Sequence, residues 1–173
     1  NRLQDPTSGE ILVDGEPIAR HEVTGLRRKI GYVQQTPIMV EGTVLKNLTF
    51  PFQFYAMRGK EPPDREGLKR GLDDFLLEDV GLEEDAETLS VGQKQRIALI
   101  RTLLSEPEIL LCDEPTSALD ARSKGIVEGW LECLNLEKGI GVVLVAHTDF
   151  APERVRPKRF LLQQRGGLKE ASL

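Results

Sequence analysis

Two cysteines, one tryptophan, two tyrosines and six phenylalanines in 173 residues leave this chain poor in sulfur and in aromatic rings. Cys112 and Cys133 stand in no paired or metal-ligand spacing, which excludes a disulfide framework and leads us to expect reduced core thiols of a cytosolic protein. Basic residues are the minority, 23 Lys and Arg against 28 Asp and Glu, for a formal charge of −5 and a pI near 5.2. That balance argues against nucleic acid as a partner, since phosphate backbones are met by a basic face. Long apolar runs are missing too: the longest, Val142 to Ala146, falls far short of the ~20 residues of a bilayer span, and the first residues carry no signal-peptide pattern. A role at a membrane is therefore expected only as a peripheral subunit. The length is that of one domain able to bury a core.

What is present centres on Leu89 to Asp120. Ile109 to Cys112 reads as a buried parallel strand that delivers Asp113 and Glu114 at its C-terminal end, the edge where open α/β sheets bind ligands. An acidic pair there suits a metal ion and a polarised water. Upstream, Ser90 to Gln93 has the S-x-x-Q form of a capping box, so the spacing predicts a helix from Ser90 through Ile97, Ile100 and Leu104, stopped by Glu106-Pro107. A helix N-terminus opened by Ser and Gly is suited to receive phosphate.

In order and spacing, these residues resemble the ABC-type ATPases. Leu89-Ser90-Val91-Gly92-Gln93-Lys94-Gln95-Arg96 is similar to the family's signature motif, Ile109 to Glu114 to its Walker B strand and Ser117 to Asp120 to its D-loop. Gln35 stands at the Q-loop position and His147, at the end of a second apolar strand, at the switch-histidine position. The resemblance implies an α/β P-loop NTPase (RecA-like) fold, mostly parallel, with a small antiparallel β element. Residues 1–42 and 106–173 would form the catalytic core and 43–105 a helical subdomain. It further implies ATP and Mg²⁺ as ligands, with Asp113 and Gln35 at the metal and Glu114 polarising the attacking water. His147 and Gln35 would sense the γ-phosphate, and Ser90, Gly92, Gln93 and Asp120 would face the nucleotide across a head-to-tail dimer, expected to be a homodimer. The partner implied is a membrane permease, and the location the cytoplasmic face of the membrane. Asn47 to Phe52, together with the signature, looks most like the ATP subunits of metal exporters, iron efflux among them. Importers of inorganic anions stay open.

Along the rest of the chain, Asn1 to Leu3 reads as the end of a helix, and Ile11 to Ile18 as a hairpin through Asp14-Gly15. Leu26 to Lys29 reads as an exposed basic step. Thr43 is expected to cap a helix over Leu45 to Leu48, and Phe50 to Tyr55 to form either a local core or a docking groove. Leu72, Phe75, Leu76 and Val80 predict a helix closed by Gly81, and the acidic residues from Glu78 to Glu87 a solvated face. Asp120 is expected to cap a helix to Leu136 whose Gly125 and Gly129 suggest close packing. Gly141 to Ala146 reads as a buried strand, Pro152 to Val155 as a short helix, and Arg159 to Glu170 as a hairpin turning at Gly166-Gly167.

No G-x-x-x-x-G-K-[ST] phosphate loop occurs in these residues. A truncated sequence, a missing segment and a noncatalytic fragment are the competing explanations, and these residues are expected not to hydrolyse ATP on their own. Val91 departs from the glycine usual in the signature, but the first turn of a helix has negative φ and tolerates valine. DNA-repair and chromosome-organising ATPases share these motifs. They place a long coiled coil between Q-loop and signature, which the short interval here cannot hold.

Overall fold

The computed structural model describes residues 1–147, 150, 152–162 and 167–171. Asp14 and Gly15, at φ of 53° and 79°, make the turn between β1 (Leu12–Val13) and β2 (Glu16–Pro17), an antiparallel pair. The stretch read as an exposed basic step is instead the end of a helix, α1 (Val23–Lys29). Its cap is Glu22, whose carboxylate accepts from the Thr24 and Gly25 amides at 2.9 and 2.7 Å. Leu26 is buried with Val13, Ile18 and Ile30, which fixes the helix against the sheet. Asn1 to Leu3 are not helical, and Arg2 has a φ of 58°.

β3 (Ile30–Val33), β4 (Ile109–Asp113) and β5 (Gly141–Val145) form one parallel sheet in that order, and the strand character of β4 and β5 is as their apolar runs led us to expect. Ile30 to Val33 pair with Ile109 to Cys112, and Ile109 to Asp113 with Gly141 to Val145, so all the C-terminal ends share an edge. Alternation sorts β4 by face: Leu110 and Cys112 enter the main core, and Ile109 and Leu111 pack on the α1 side. At Gly31 a Cβ would stand 2.7 Å from Thr102 Cγ2, so only glycine permits this approach of strand to helix. β5 is only half buried. Val142 and Leu144 pack on the core, but Val143 and Val145, on the opposite face, are 56 and 57 % exposed. An evenly apolar strand gives no sign of which face lacks a cover.

Thr43 caps α2 (Val44–Thr49) through its hydroxyl, as expected. The next helix lies earlier than its apolar spacing predicts: α3 spans Arg65–Asp74, capped by Asp64. Leu76, at φ 53°, ends it in a left-handed turn in which Leu77 N–H donates to the Leu72 carbonyl at 3.0 Å. The Phe75 and Leu76 carbonyls accept from Arg96 at 3.0 and 2.9 Å, so a residue of a distant helix fixes this end. The acidic run that follows is solvated over most of its length.

α4 (Val91–Leu103) and α5 (Ala121–Lys138) complete the helices, α5 ending at Gly139 with φ 66°. A Cβ at Gly125 or Gly129 would meet nothing within 4 Å, so the close packing expected there is absent. Trp130 stacks on Phe75 at 5.1 Å and donates to the Asp74 carbonyl at 3.0 Å, joining α5 to the end of α3. The helix expected over Pro152 to Val155 does not form. The Glu153 and Arg154 amides donate instead to the buried Glu132 carboxylate, both at 2.8 Å, which satisfies them without a turn of helix. β6 (Arg159–Leu162) and β7 (Leu168–Ala171) pair antiparallel as expected; Gln163 and Gly166 of that hairpin lie outside the described residues. No described helix is long and apolar enough to cross a membrane.

Both cysteines are free. Burial in β4 pushes the Cys112 thiol up to about 12, whereas Cys133 is only half buried. Iodoacetamide at pH 8 is therefore expected to alkylate Cys133 in the native protein and Cys112 only after unfolding, because the thiolate is the reactive form. Peptide mass spectrometry reads this directly, and native labelling of Cys112 would show that β4 opens.

Candidate functional site

Where β4 ends, the backbone enters the left-handed region, as it does also at Asp14 and Glu106. Glu114 sits at φ 46°, a left-handed conformation that costs a residue with a Cβ of order 1 to 3 kcal/mol and needs support from its surroundings. Support comes from the ladder, since the Glu114 amide donates to the Val145 carbonyl at 2.8 Å. The Ser117 amide and hydroxyl both bind the Glu114 carbonyl, at 3.2 and 3.1 Å, and close the turn that follows. This geometry brings in side chains from both flanking strands. Gln35 Nε2, two residues past β3, donates to Glu114 Oε2 at 3.0 Å. His147 Nε2, two residues past β5, lies 2.9 Å from Glu114 Oε1 and donates to it when the carboxyl is ionised. Glu114 keeps its side chain 13 % exposed, whereas that of His147 is 86 % exposed.

Asp113 is held beside this cluster by Tyr32, whose hydroxyl lies 3.4 Å from Oδ2. Burial first, and the Asp113 charge second, raise the Tyr32 pKa, which keeps the phenol protonated as a donor. Gln35, Asp113, Glu114 and His147 are therefore grouped as the sequence led us to expect. Asp113, Glu114 and the Gln35 amide offer oxygen donors, which fit Mg²⁺, an ion commonly held by one or two carboxylates together with phosphate oxygens and water. Among the described residues no group of three or more His, Cys, Asp or Glu is placed to hold a metal unaided.

The other candidates gather elsewhere. Ser90 Oγ accepts from the Gln93 amide at 3.3 Å and Gln93 Oε1 from the Ser90 amide at 2.9 Å, a complete capping box. No hydrogen bond among the described residues joins Ser90, Gly92 or Gln93 to the Glu114 cluster. Gly92 packs instead on the loop after Glu114: a Cβ there would lie 3.3 Å from Leu119 Cδ2 and 3.5 Å from the Ala118 carbonyl. Asp120 caps α5, accepting from the Arg122 and Ser123 amides at 3.0 Å each and from the Ser123 hydroxyl at 2.7 Å. Those bonds, the Ser123 amide foremost, lower its pKa.

Sequence reasoning missed the side chains that hold the loop after β3. Gln95, 2 % exposed, donates from Nε2 to the Gln34 carbonyl at 3.1 Å, while its Oε1 is buried without a partner. Such an orphan acceptor costs about 1 to 3 kcal/mol, against about 0.5 to 1.5 for the hydrogen bond gained. Farther along α4, Arg101 donates to the Ile38 carbonyl at 2.8 Å and to Asn47 Oδ1 at 3.2 Å, and the buried Asn47 binds both the amide and the carbonyl of Val40. A buried glutamine at a core position of an amphipathic helix was the available signal. Beside this loop lies a cleft of 500 Å³ lined by Ile38, Val40, Phe50, Phe54, Met57 and Arg27 among others, so two members of the aromatic cluster, Phe50 and Phe54, which meet edge to face, stand in a groove wall, while Phe52 and Tyr55 do not line it.

The family model for ABC transporters matches residues 1–117, about two thirds of the chain. This chain belongs to the ABC transporter family. As an ABC ATP-binding domain, with the α/β P-loop NTPase fold of that family, it is 40 % identical over 152 residues to ABC transporter I family member 17 of Arabidopsis thaliana, covering 86 % of this chain and 55 % of that one. With the methionine import ATP-binding protein MetN of Latilactobacillus sakei it shares 39 % over 159 residues, 90 % of this chain and 45 % of the relative. The ABC domain thus spans about half the length of these curated relatives. Among solved structures, the dimeric post-hydrolysis state of the ATP-binding cassette MJ0796, bound to ADP and Pi, is matched at 34 % identity with a TM-score of 0.70, over 84 % of this chain and 66 % of that one.

Proposed function

We propose that this ABC domain hydrolyses ATP, with Glu114 as the group that takes a proton from the attacking water. The observation that carries the reading is the support of one strained, half-buried carboxylate by Gln35 and His147 at the shared end of a parallel sheet. Asp113 and Gln35 would hold Mg²⁺, which when bound would neutralise phosphate charge. His147 would leave Glu114 to reach the γ-phosphate, and Gln35 would report its presence to the loop gripped by α4. Ser90, Gly92, Gln93 and Asp120 would serve the nucleotide of a second copy in a head-to-tail homodimer. The dimeric relative with bound ADP and Pi supports that division.

The same reading makes 43–105 a helical subdomain whose groove beside Ile38 and Phe54 meets a membrane permease, with the domain on the cytoplasmic face. For the solute, import has the support of a relative named for methionine import, whereas neither curated relative above is named for metal export. Hydrolysis also needs an element that grips the β- and γ-phosphates, which these residues do not contain. The cleft of 260 Å³ that Val143, Val145 and Tyr32 line beside Asp113 is where such an element would pack. The test measures Mg²⁺-dependent phosphate release from ATP by residues 1–173 alone and by a protein with a phosphate loop ahead of Asn1. Turnover is expected only in the second; turnover by the first at a comparable rate would refute the need for that element, and none in the second would refute the ATPase reading.

A further inference from the structure

The first turns of α4 touch both loops of the Glu114 cluster. Gly92 packs on the loop that follows Glu114, and Gln95, one turn later, reaches across to the Gln34 carbonyl at 3.1 Å. Gln34 lies one residue past the Val33–Cys112 pair that ends the ladder, so the sheet does not fix its carbonyl. The buried amide does, and the next residue, Gln35, makes the 3.0 Å contact with Glu114. Stability does not account for a glutamine here. Its unpaired Oε1 costs more than the single hydrogen bond returns, so an apolar side chain of the same size would suit the core as well or better.

We propose that Gln95 is a positioning residue that ties the Gln34 carbonyl to α4 and thereby sets the contact between Gln35 and Glu114. A displacement of the α4 N-terminus, which carries Ser90, Gly92 and Gln93, then moves Gln35 relative to Glu114. The effect on turnover rests on the ATPase reading above; the tether itself does not.

Gln95→Met tests it, because methionine keeps the length and volume of the side chain and removes both the donor and the unpaired acceptor. In the protein that carries a phosphate loop ahead of Asn1, amide exchange over residues 34–37 is expected to quicken by about tenfold while the unfolding midpoint stays at or above the parent's. ATP turnover should fall by about tenfold in kcat with KM for ATP within about twofold. Unchanged exchange over 34–37 overturns the tether, and so does a loss of turnover matched by a lower midpoint, which a merely structural role would produce. Normal turnover in Glu114→Gln together with faster exchange in Gln95→Met overturns the ATPase reading and upholds the tether.

Discussion

In the protein that carries a phosphate loop ahead of Asn1, Glu114→Gln is expected to lower ATP turnover by about 10² to 10⁴, equivalent to roughly 3 to 5 kcal/mol of barrier, while ATP binding persists. Glutamine has the size of glutamate but cannot take a proton from water. Its amide also cannot accept from both Gln35 and His147, as the carboxylate does at 3.0 and 2.9 Å, so the strained turn at Glu114 loses one of its side-chain contacts. Asp113, one residue earlier and held by Tyr32, is untouched and still available to a metal. In the proposed head-to-tail homodimer the nucleotide lies between the two copies, so a variant that binds ATP without cleaving it should accumulate as an ATP-bound dimer in size-exclusion chromatography with ATP and Mg²⁺. Adding Ser90→Arg should return it to monomer, since the arginine breaks the capping box and fills the surface meant for the facing phosphate. Turnover near the parent rate would reduce Glu114 to a strand-end carboxylate.

Leu110→Ala is expected to cost about 2 to 5 kcal/mol of folding stability, the range for emptying a fully buried leucine site. Leu110 is 0 % exposed, at the centre of β4 between Gly31 and Val142. The surroundings cannot collapse into the space, because the two neighbouring strands are hydrogen-bonded on either side. Urea denaturation should show a lower midpoint with an unchanged slope. A loss below about 1 kcal/mol would mean that the site relaxes as an edge position does.

These two substitutions fall on residues that the sequence singled out, and the reason is physical. A run of apolar residues ending in Asp113-Glu114 reads as a buried strand with its carboxylates at an edge, and the parallel pairing of β3, β4 and β5 bears that out. The basic step at Leu26 to Lys29 misled because its cap, Glu22, is not among the usual capping residues, and two backbone amides bind it all the same. The helix placed over Leu72 to Val80 misled for a different reason. Its apolar spacing continues past the true end, which Leu76 and Arg96 impose from outside the segment.

By itself, then, the sequence determined those features whose partners lie within a few residues. These include the Asp14-Gly15 turn, the Thr43 and Asp120 caps, the Ser90 and Gln93 box, and the identity of the strands that carry the acidic pair. Only the tertiary structure decided what depends on partners far along the chain. Glu114 meets Gln35 across 79 positions and Gln95 meets Gln34 across 61, and each contact exists only because parallel strands end at one edge and α4 crosses beneath them. The same holds for Glu132, whose buried carboxylate looks like any helix glutamate until the Glu153 and Arg154 amides arrive to satisfy it. Val143 and Val145 are the converse case: two apolar residues whose alternation cannot say whether anything covers them, because cover comes from other elements of the fold.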